Sequence, residues 1–222
     1  MILKIISVLG ARPQFIKSVI LNDLLSKRLG IENIIIHTGQ HFDENMSLIF
    51  FDELLIKKPK YNLNINSLSH GAMTGRQLEQ IEKIFFDELP DLVIVYGDTN
   101  STLAGALAAS KLNIPLAHIE SGLRSFNLSM PEEVNRILTD RISSYLFTPS
   151  KIAAPWPPAF SPLCCCMITL KPIFFASSIV PSVEPPSITT ISSAHDLSIL
   201  GKITLIPLIS FNVSIITAVD IN

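Results

Sequence analysis

The chain has 222 residues, 17 Lys and Arg against 19 Asp and Glu, and a formal net charge of -2. That length suits one large domain or one and a half small ones, and so even a balance gives no electrostatic case for nucleic acid or an acidic membrane surface as a partner. The three cysteines are consecutive, Cys164, Cys165 and Cys166. Adjacent cysteines rarely meet disulfide geometry, and no His or second Cys pair stands at ligand spacing, so no metal site is expected.

The charge is unevenly spread. Residues 1–150 hold 14 Lys and Arg and 16 Asp and Glu, whereas residues 151–222 hold 3 and 3. Proline runs the other way, with 6 before residue 151 and 9 after it. A break this sharp predicts two regions, 1–150 and 151–222.

In chain order, the opening MILKIISVLGARP has too short an apolar run for a signal peptide and no small-residue cleavage site, which points to the cytoplasm. Residues 2–9 read instead as a strand covered on both faces. Residues 15–27 carry helical spacing through Phe15, Ile16, Val19, Ile20, Leu24 and Leu25. A second strand, 34–36, ends on His37-Thr38-Gly39-Gln40-His41, and a short amphipathic segment follows at 45–54. After a polar stretch, 74–88 reads as a helix with Gln77, Gln80 and Lys83 on its wet face. Strand 92–96 closes with Gly97-Asp98, Ala- and Leu-rich 101–111 favours a helix, and strand 115–119 closes with Glu120. Pro131 suits the first turn of a helix over 131–143, with Glu132 and Glu133 favourable beside its dipole. Strand 145–148 ends the pattern. Alternating strands and helices predict an α/β fold built on a doubly wound parallel sheet.

In such a sheet the carboxyl ends of the strands face the ligand crevice. Arg12, Gln14 and Lys17 follow the first strand, Gln40 and His41 the second, Asp98 the next, and Glu120 and Arg124 the one after. No GxGxxG follows the first strand, so no dinucleotide is expected. Gly10 with Arg12 and Lys17 beside a helix start suits a phosphate or pyrophosphate. Each residue alone has a plainer reading: Arg12 or Lys17 a solvated charge near a turn, His41 a loop histidine, Asp98 a helix cap, Glu132 and Glu133 first-turn charges. The convergence of four strand ends favours a site.

The segments GARPQFIK at 10–17, HTGQHFDENM at 37–46, YGDTNSTLAGALAA at 96–109, HIESGLRS at 118–125 and MPEEVNRILTD at 130–140 resemble the non-hydrolysing UDP-N-acetylglucosamine 2-epimerases over roughly residues 1–150. The resemblance implies the N-terminal Rossmann-like half of a glycosyltransferase-B-type fold, with the active site between two domains. It implies conversion of UDP-GlcNAc to UDP-ManNAc for surface polysaccharides, with no metal or nicotinamide cofactor and with full-length relatives as homodimers. A close branch acts on UDP-2,3-diacetamido-glucuronic acid.

The C2 proton of a GlcNAc unit has no adjacent carbonyl to acidify it. Expelling UDP from C1 while a base removes that proton avoids a free carbanion, and the 2-acetamidoglucal is re-protonated from the other face as UDP returns. The resemblance carries the acid/base roles onto Asp98, Glu120 and Glu132, and the diphosphate side onto Arg12 and Lys17. Gln14, Arg124 and Arg136 join them as expected substrate-binding residues. Gln40 and His41 fall in the segment that contributes a second, allosteric UDP-GlcNAc site in bacterial members.

Beyond Ser150 the resemblance stops. Prolines forbid long helices over most of 151–222, and Pro207 and Asn212 interrupt its last apolar run short of a membrane span. This tail is expected to be disordered, or the product of a frameshift or antisense reading. The codons of VPSVEPPS at 180–187, read on the opposite strand with a one-base shift, can spell DGGSTDGT, which resembles a nucleotide-sugar motif of glycosyltransferases. Two functions follow: an epimerase represented by its N-terminal half and inactive as this chain, or a non-catalytic remnant that dimerises or binds sugar-nucleotide weakly. A glycosyltransferase-B-type transferase fits the motif combination less well.

Overall fold

The computed structural model describes residues 2–40, 58–150, 166–169 and 214–217. The short amphipathic segment expected at 45–54 lies outside them, as does all of 151–222 except two short strands. The described elements are β1 (Leu3–Leu9), α1 (Arg12–Lys27), β2 (Ile31–His37), β3 (Tyr61–Asn62), α2 (His70–Glu88), β4 (Leu92–Tyr96), α3 (Asn100–Lys111), β5 (Leu116–Ile119), α4 (Pro131–Ile142), β6 (Tyr145–Thr148), β7 (Cys166–Thr169) and β8 (Ser214–Thr217).

They form an α/β fold around one sheet of order β3-β2-β1-β4-β5-β6-β7-β8. All neighbours are parallel except the β7–β8 pair. The chain winds outward from β1 through β2 to β3, then crosses to β4 and winds the other way. The strand order therefore reverses between β1 and β4, the place where doubly wound sheets open a ligand crevice.

Alternate side chains of each strand feed opposite cores. Leu3, Ile5, Leu9, Ile94 and Tyr96 pack with Phe15 and Leu25 of α1. Ile6, Val8, Val93 and Val95 pack with Ile81, Ile84 and Phe85 of α2 and Ala104 and Ala108 of α3. Both faces are covered, which is why β4 reads as an unbroken apolar run, and β1 as one broken only by Lys4 and Ser7, rather than as alternating strands.

Several boundaries moved outward from the sequence reading. α1 begins at Arg12 because Pro13 occupies its first turn and the Gln14 side chain accepts from Ala11 N at 3.1 Å. α2 begins at His70, its first turn masked in sequence by Gly71 and Gly75. β2 begins at Ile31, and its polar Asn33 is buried and donates to the Asn22 side chain of α1 at 3.1 Å. Strand β3 lies in a stretch whose polarity predicts a connection. Lys60 N donates to Ile35 O at 2.9 Å, and the pairing continues through Tyr61 and Asn62.

Candidate active site

The turns that follow β2, β1 and β4 are fastened together first. A Cβ on Gly10 would lie 2.0 Å from Ser101 Oγ and 2.5 Å from Thr38 Oγ1, so only glycine admits this approach. Thr38 and Ser101 hydroxyls meet at 2.7 Å. Gln14, 2% exposed, accepts through Oε1 from Gly10 N at 2.7 Å and donates through Nε2 to Tyr96 O at 2.5 Å, with Thr99 and Thr102 hydroxyls at 3.0 and 2.9 Å. Both ends of its amide are spent on the protein. Gln14, expected to bind substrate, instead bridges the turns on either side of the switch point. Gln40 Oε1 accepts from Ser101 N at 3.0 Å and Ser101 Oγ at 2.7 Å, so it caps the start of α3 from the end of β2. His41 lies outside the described residues.

Asp98 is not the cap of α3. Thr99 takes that place, its hydroxyl accepting from Thr102 N while Thr102 Oγ1 accepts from Thr99 N. This leaves the Asp98 carboxylate at the crevice, where Oδ2 accepts from Arg136 Nε at 2.9 Å and Nη2 at 2.7 Å. Glu120, at the end of β5, turns the other way and pairs with Lys17 of α1. Its Oε2 lies 3.3 Å from where a Gly97 Cβ would stand. Arg12 is the exposed first residue of α1. Two carboxylates on neighbouring strand ends are thus each held by a cation from a different helix.

Helix α4 explains much of this arrangement, because it carries its charges inward. Glu133, 1% exposed, accepts from Ser125 N at 3.0 Å, Phe126 N at 3.1 Å and Arg136 Nη1 at 2.6 Å. Burial alone would raise its carboxyl, but these donors hold it below the ordinary value. Asn135 Nδ2 donates to Asp98 O at 2.9 Å. Burial opposes the Arg136 charge, and Asp98 and Glu133 more than offset it, raising its pKa. Asp140 binds His118, Gly122 N and Arg124 Nη2 at 2.6, 3.0 and 2.7 Å. Residues 133, 136 and 140 share one helix face, while Val134 and Leu138 point outward, 39% and 44% exposed.

That geometry separates residues that the sequence left equivalent. Of the adjacent glutamates, Glu133 is consumed in holding the loop after β5. Glu132 is half-buried in the first turn, and among the described residues its side chain makes no hydrogen bond or ion pair. Arg124, expected to touch substrate, has a side chain only 5% exposed and paired with Asp140, so it braces the loop instead. His118 and Asp140 were missed. The signal was there in a histidine inside an otherwise apolar strand, Leu116-Ala117-His118-Ile119.

A family model described as UDP-N-acetylglucosamine 2-epimerase matches residues 23–155. The chain belongs to the UDP-N-acetylglucosamine 2-epimerase family. It is 58% identical over 151 residues to the UDP-2,3-diacetamido-2,3-dideoxy-D-glucuronate 2-epimerase of Pseudomonas aeruginosa, covering 68% of this chain and 43% of that protein. It is 58% identical over 152 residues to a UDP-N-acetylglucosamine 2-epimerase of Methanococcus maripaludis, covering 68% and 40%. Among solved structures, the Methanocaldococcus jannaschii UDP-GlcNAc 2-epimerase in complex with UDP-GlcNAc and UDP superposes with TM-score 0.65 at 56% identity, over 70% of this chain and 42% of that one. The Neisseria meningitidis enzyme bound to UDP-GlcNAc gives 0.65 at 35%, over 69% and 42%. The chain therefore spans about two-fifths of the length of the curated relatives it matches. Among the described residues no helix is long and apolar enough to cross a membrane.

Proposed function

We propose that this chain carries the acid/base wall of a nucleotide-sugar 2-epimerase site, for UDP-GlcNAc and UDP-ManNAc. A carboxylate takes the C2 proton while the C1–O bond breaks and its electron pair leaves with the diphosphate. The resulting 2-acetamidoglucal is protonated at C2 from the opposite face, and UDP adds back at C1. Asp98, Glu120 and Glu132 share the proton transfers. Arg12 and Lys17 neutralise the departing diphosphate at the positively polarised start of α1. Arg136 holds Asp98 in place. Gln14 and Arg124 frame the site rather than touch the sugar, and Gln40 with His41 borders a second sugar-nucleotide site.

The observation that carries this reading is the pair of cation-held carboxylates, Asp98 with Arg136 and Glu120 with Lys17, on either side of the β4 turn at the switch point. Members named for UDP-GlcNAc and for the diacetamido-glucuronate are equally similar at 58%, so identity does not choose the sugar. UDP-GlcNAc is the proposed substrate. The setting is cytoplasmic surface-polysaccharide synthesis, without metal or nicotinamide, in a family whose full-length members act as homodimers. Residues 1–150 are the epimerase domain in this proposal, and 151–222 are translated from an unrelated frame. Sequencing the DNA tests the antisense version, which fails if the complementary strand has no long open frame across 155–222.

Binding tests the functional reading. Titrating the purified chain with UDP-GlcNAc and with UDP should move the amide resonances of residues 10–17 and 97–101, with weak, millimolar-range affinity. No movement at those positions sinks the proposal. Incubation with UDP-GlcNAc in D2O should give neither UDP-ManNAc nor deuterium at C2 above background. That outcome favours the second reading, a non-catalytic remnant that binds without turnover.

A further inference from the structure

His118 is fully buried in the middle of β5, and the proposed chemistry does not use it. Its Nε2 lies 2.7 Å from the carbonyl oxygen of Gly97. A carbonyl only accepts, so this nitrogen carries a hydrogen and donates it. Its Nδ1 lies 2.6 Å from Asp140 Oδ1, with one hydrogen shared between them. The other oxygen of Asp140 accepts from Gly122 N at 3.0 Å and pairs with Arg124 Nη2 at 2.7 Å. Burial alone would raise the Asp140 carboxyl, and His118 and Arg124 hold it below its ordinary value.

A single carboxylate on α4 therefore reaches both acid-bearing turns. Through His118 it fixes the peptide just before Asp98, and directly it fixes the peptide two residues beyond Glu120. Both turns are in left-handed backbone, Gly97 at φ 64° and Glu120 at φ 72°. For Glu120, which has a Cβ, that conformation persists only where its surroundings over-determine it.

We infer that Asp140 and His118 are positioning residues, a buried couple that sets the separation and aim of Asp98 and Glu120 without touching substrate. The inference rests on reading those two carboxylates as acid/base groups. A buried polar couple kept for stability alone would be no better than well-packed hydrocarbon. This couple instead ends on the backbone of the two turns that carry the acids.

The test uses the full chain with 13C-labelled Asp and Glu carboxyls, the Asp98 and Glu120 resonances being assigned through Asp98→Asn and Glu120→Gln. His118→Phe keeps a ring and removes both hydrogen bonds. Asp140→Asn keeps the shape and removes the charge. Leu25→Ala, a truncation in the core beneath α1, is the stability control. Both resonances are expected to move in His118→Phe and, by less, in Asp140→Asn, and to stay in place in Leu25→Ala even though it lowers Tm. Unmoved resonances in the two clamp variants overturn the inference, as does equal movement in Leu25→Ala. Should His118→Phe fail to fold, Asp140→Asn decides by the same criterion. The readout needs no sugar-nucleotide, so loss of the functional reading through absent UDP-GlcNAc binding would leave this result distinct.

Discussion

At Gly10 there is no room for a side chain. Its missing Cβ makes room for the Ser101 hydroxyl, which in turn meets Thr38 and Gln40. Gly10→Ala should cost about 1–3 kcal/mol in a urea melt, the range for overpacking a close contact. The adjacent glutamates of α4 allow a sharper comparison. Glu133→Gln places an amide group against two backbone N–H donors and a guanidinium, and should cost about 2 kcal/mol. Glu132→Gln should stay within about 0.5 kcal/mol of the parent, as for other substitutions away from a packed network. A large loss at Glu132 would mean that it, too, is structural. The motif PEEVNR alone could not make this distinction, because both glutamates suit a first turn and only the path of the loop after β5 decides which is buried.

At the scale of elements, α4 departs most from expectation. A surface helix ordinarily buries its apolar stripe. This one buries Glu133 and Asp140, half-buries Arg136, and leaves Val134 and Leu138 facing outward. Sequence periodicity gives a helix and a face, but not which face turns inward. A second clamp stands at the opposite edge of the sheet. There Glu88, at the end of α2, meets Lys4 of β1 at 2.9 Å, Lys60 at 2.5 Å and the Tyr61 hydroxyl at 2.5 Å. Hydrogen bonds from Lys60 and Tyr61 draw its pKa down from the ordinary 4.5 to about 2. A carboxylate depressed on folding stabilises the protein fully above its unfolded value and loses that contribution as pH falls through the folded one. Stability should therefore decline between about pH 4.5 and 2. Glu88→Gln should flatten that decline in denaturant melts compared at pH 5 and pH 3, and an unchanged slope would assign the loss to other carboxylates.

For the whole molecule, in the order β3-β2-β1-β4-β5-β6-β7-β8, β1 and β4 flank the switch point, each paired on both edges and covered on both faces. Their amides should be the slowest to exchange by hydrogen-exchange mass spectrometry, with the two-residue β3 fastest among the strands. Equal rates across the sheet would contradict a core centred on the switch point. The amino-acid sequence by itself determined the alternation of strands and helices, the parallel sheet and the edge where Asp98 and Glu120 stand, because apolar runs, capping residues and prolines act over a few positions. It did not reveal β3, whose polar two-residue run pairs only because β2 lies beside it. Only the tertiary structure decided which polar residues are spent on the frame. Gln14 and Arg124 look like binding groups along the chain. They become braces because strand ends far apart in sequence arrive within hydrogen-bond distance, where an unpaired buried polar group would cost more than it could contribute to a ligand.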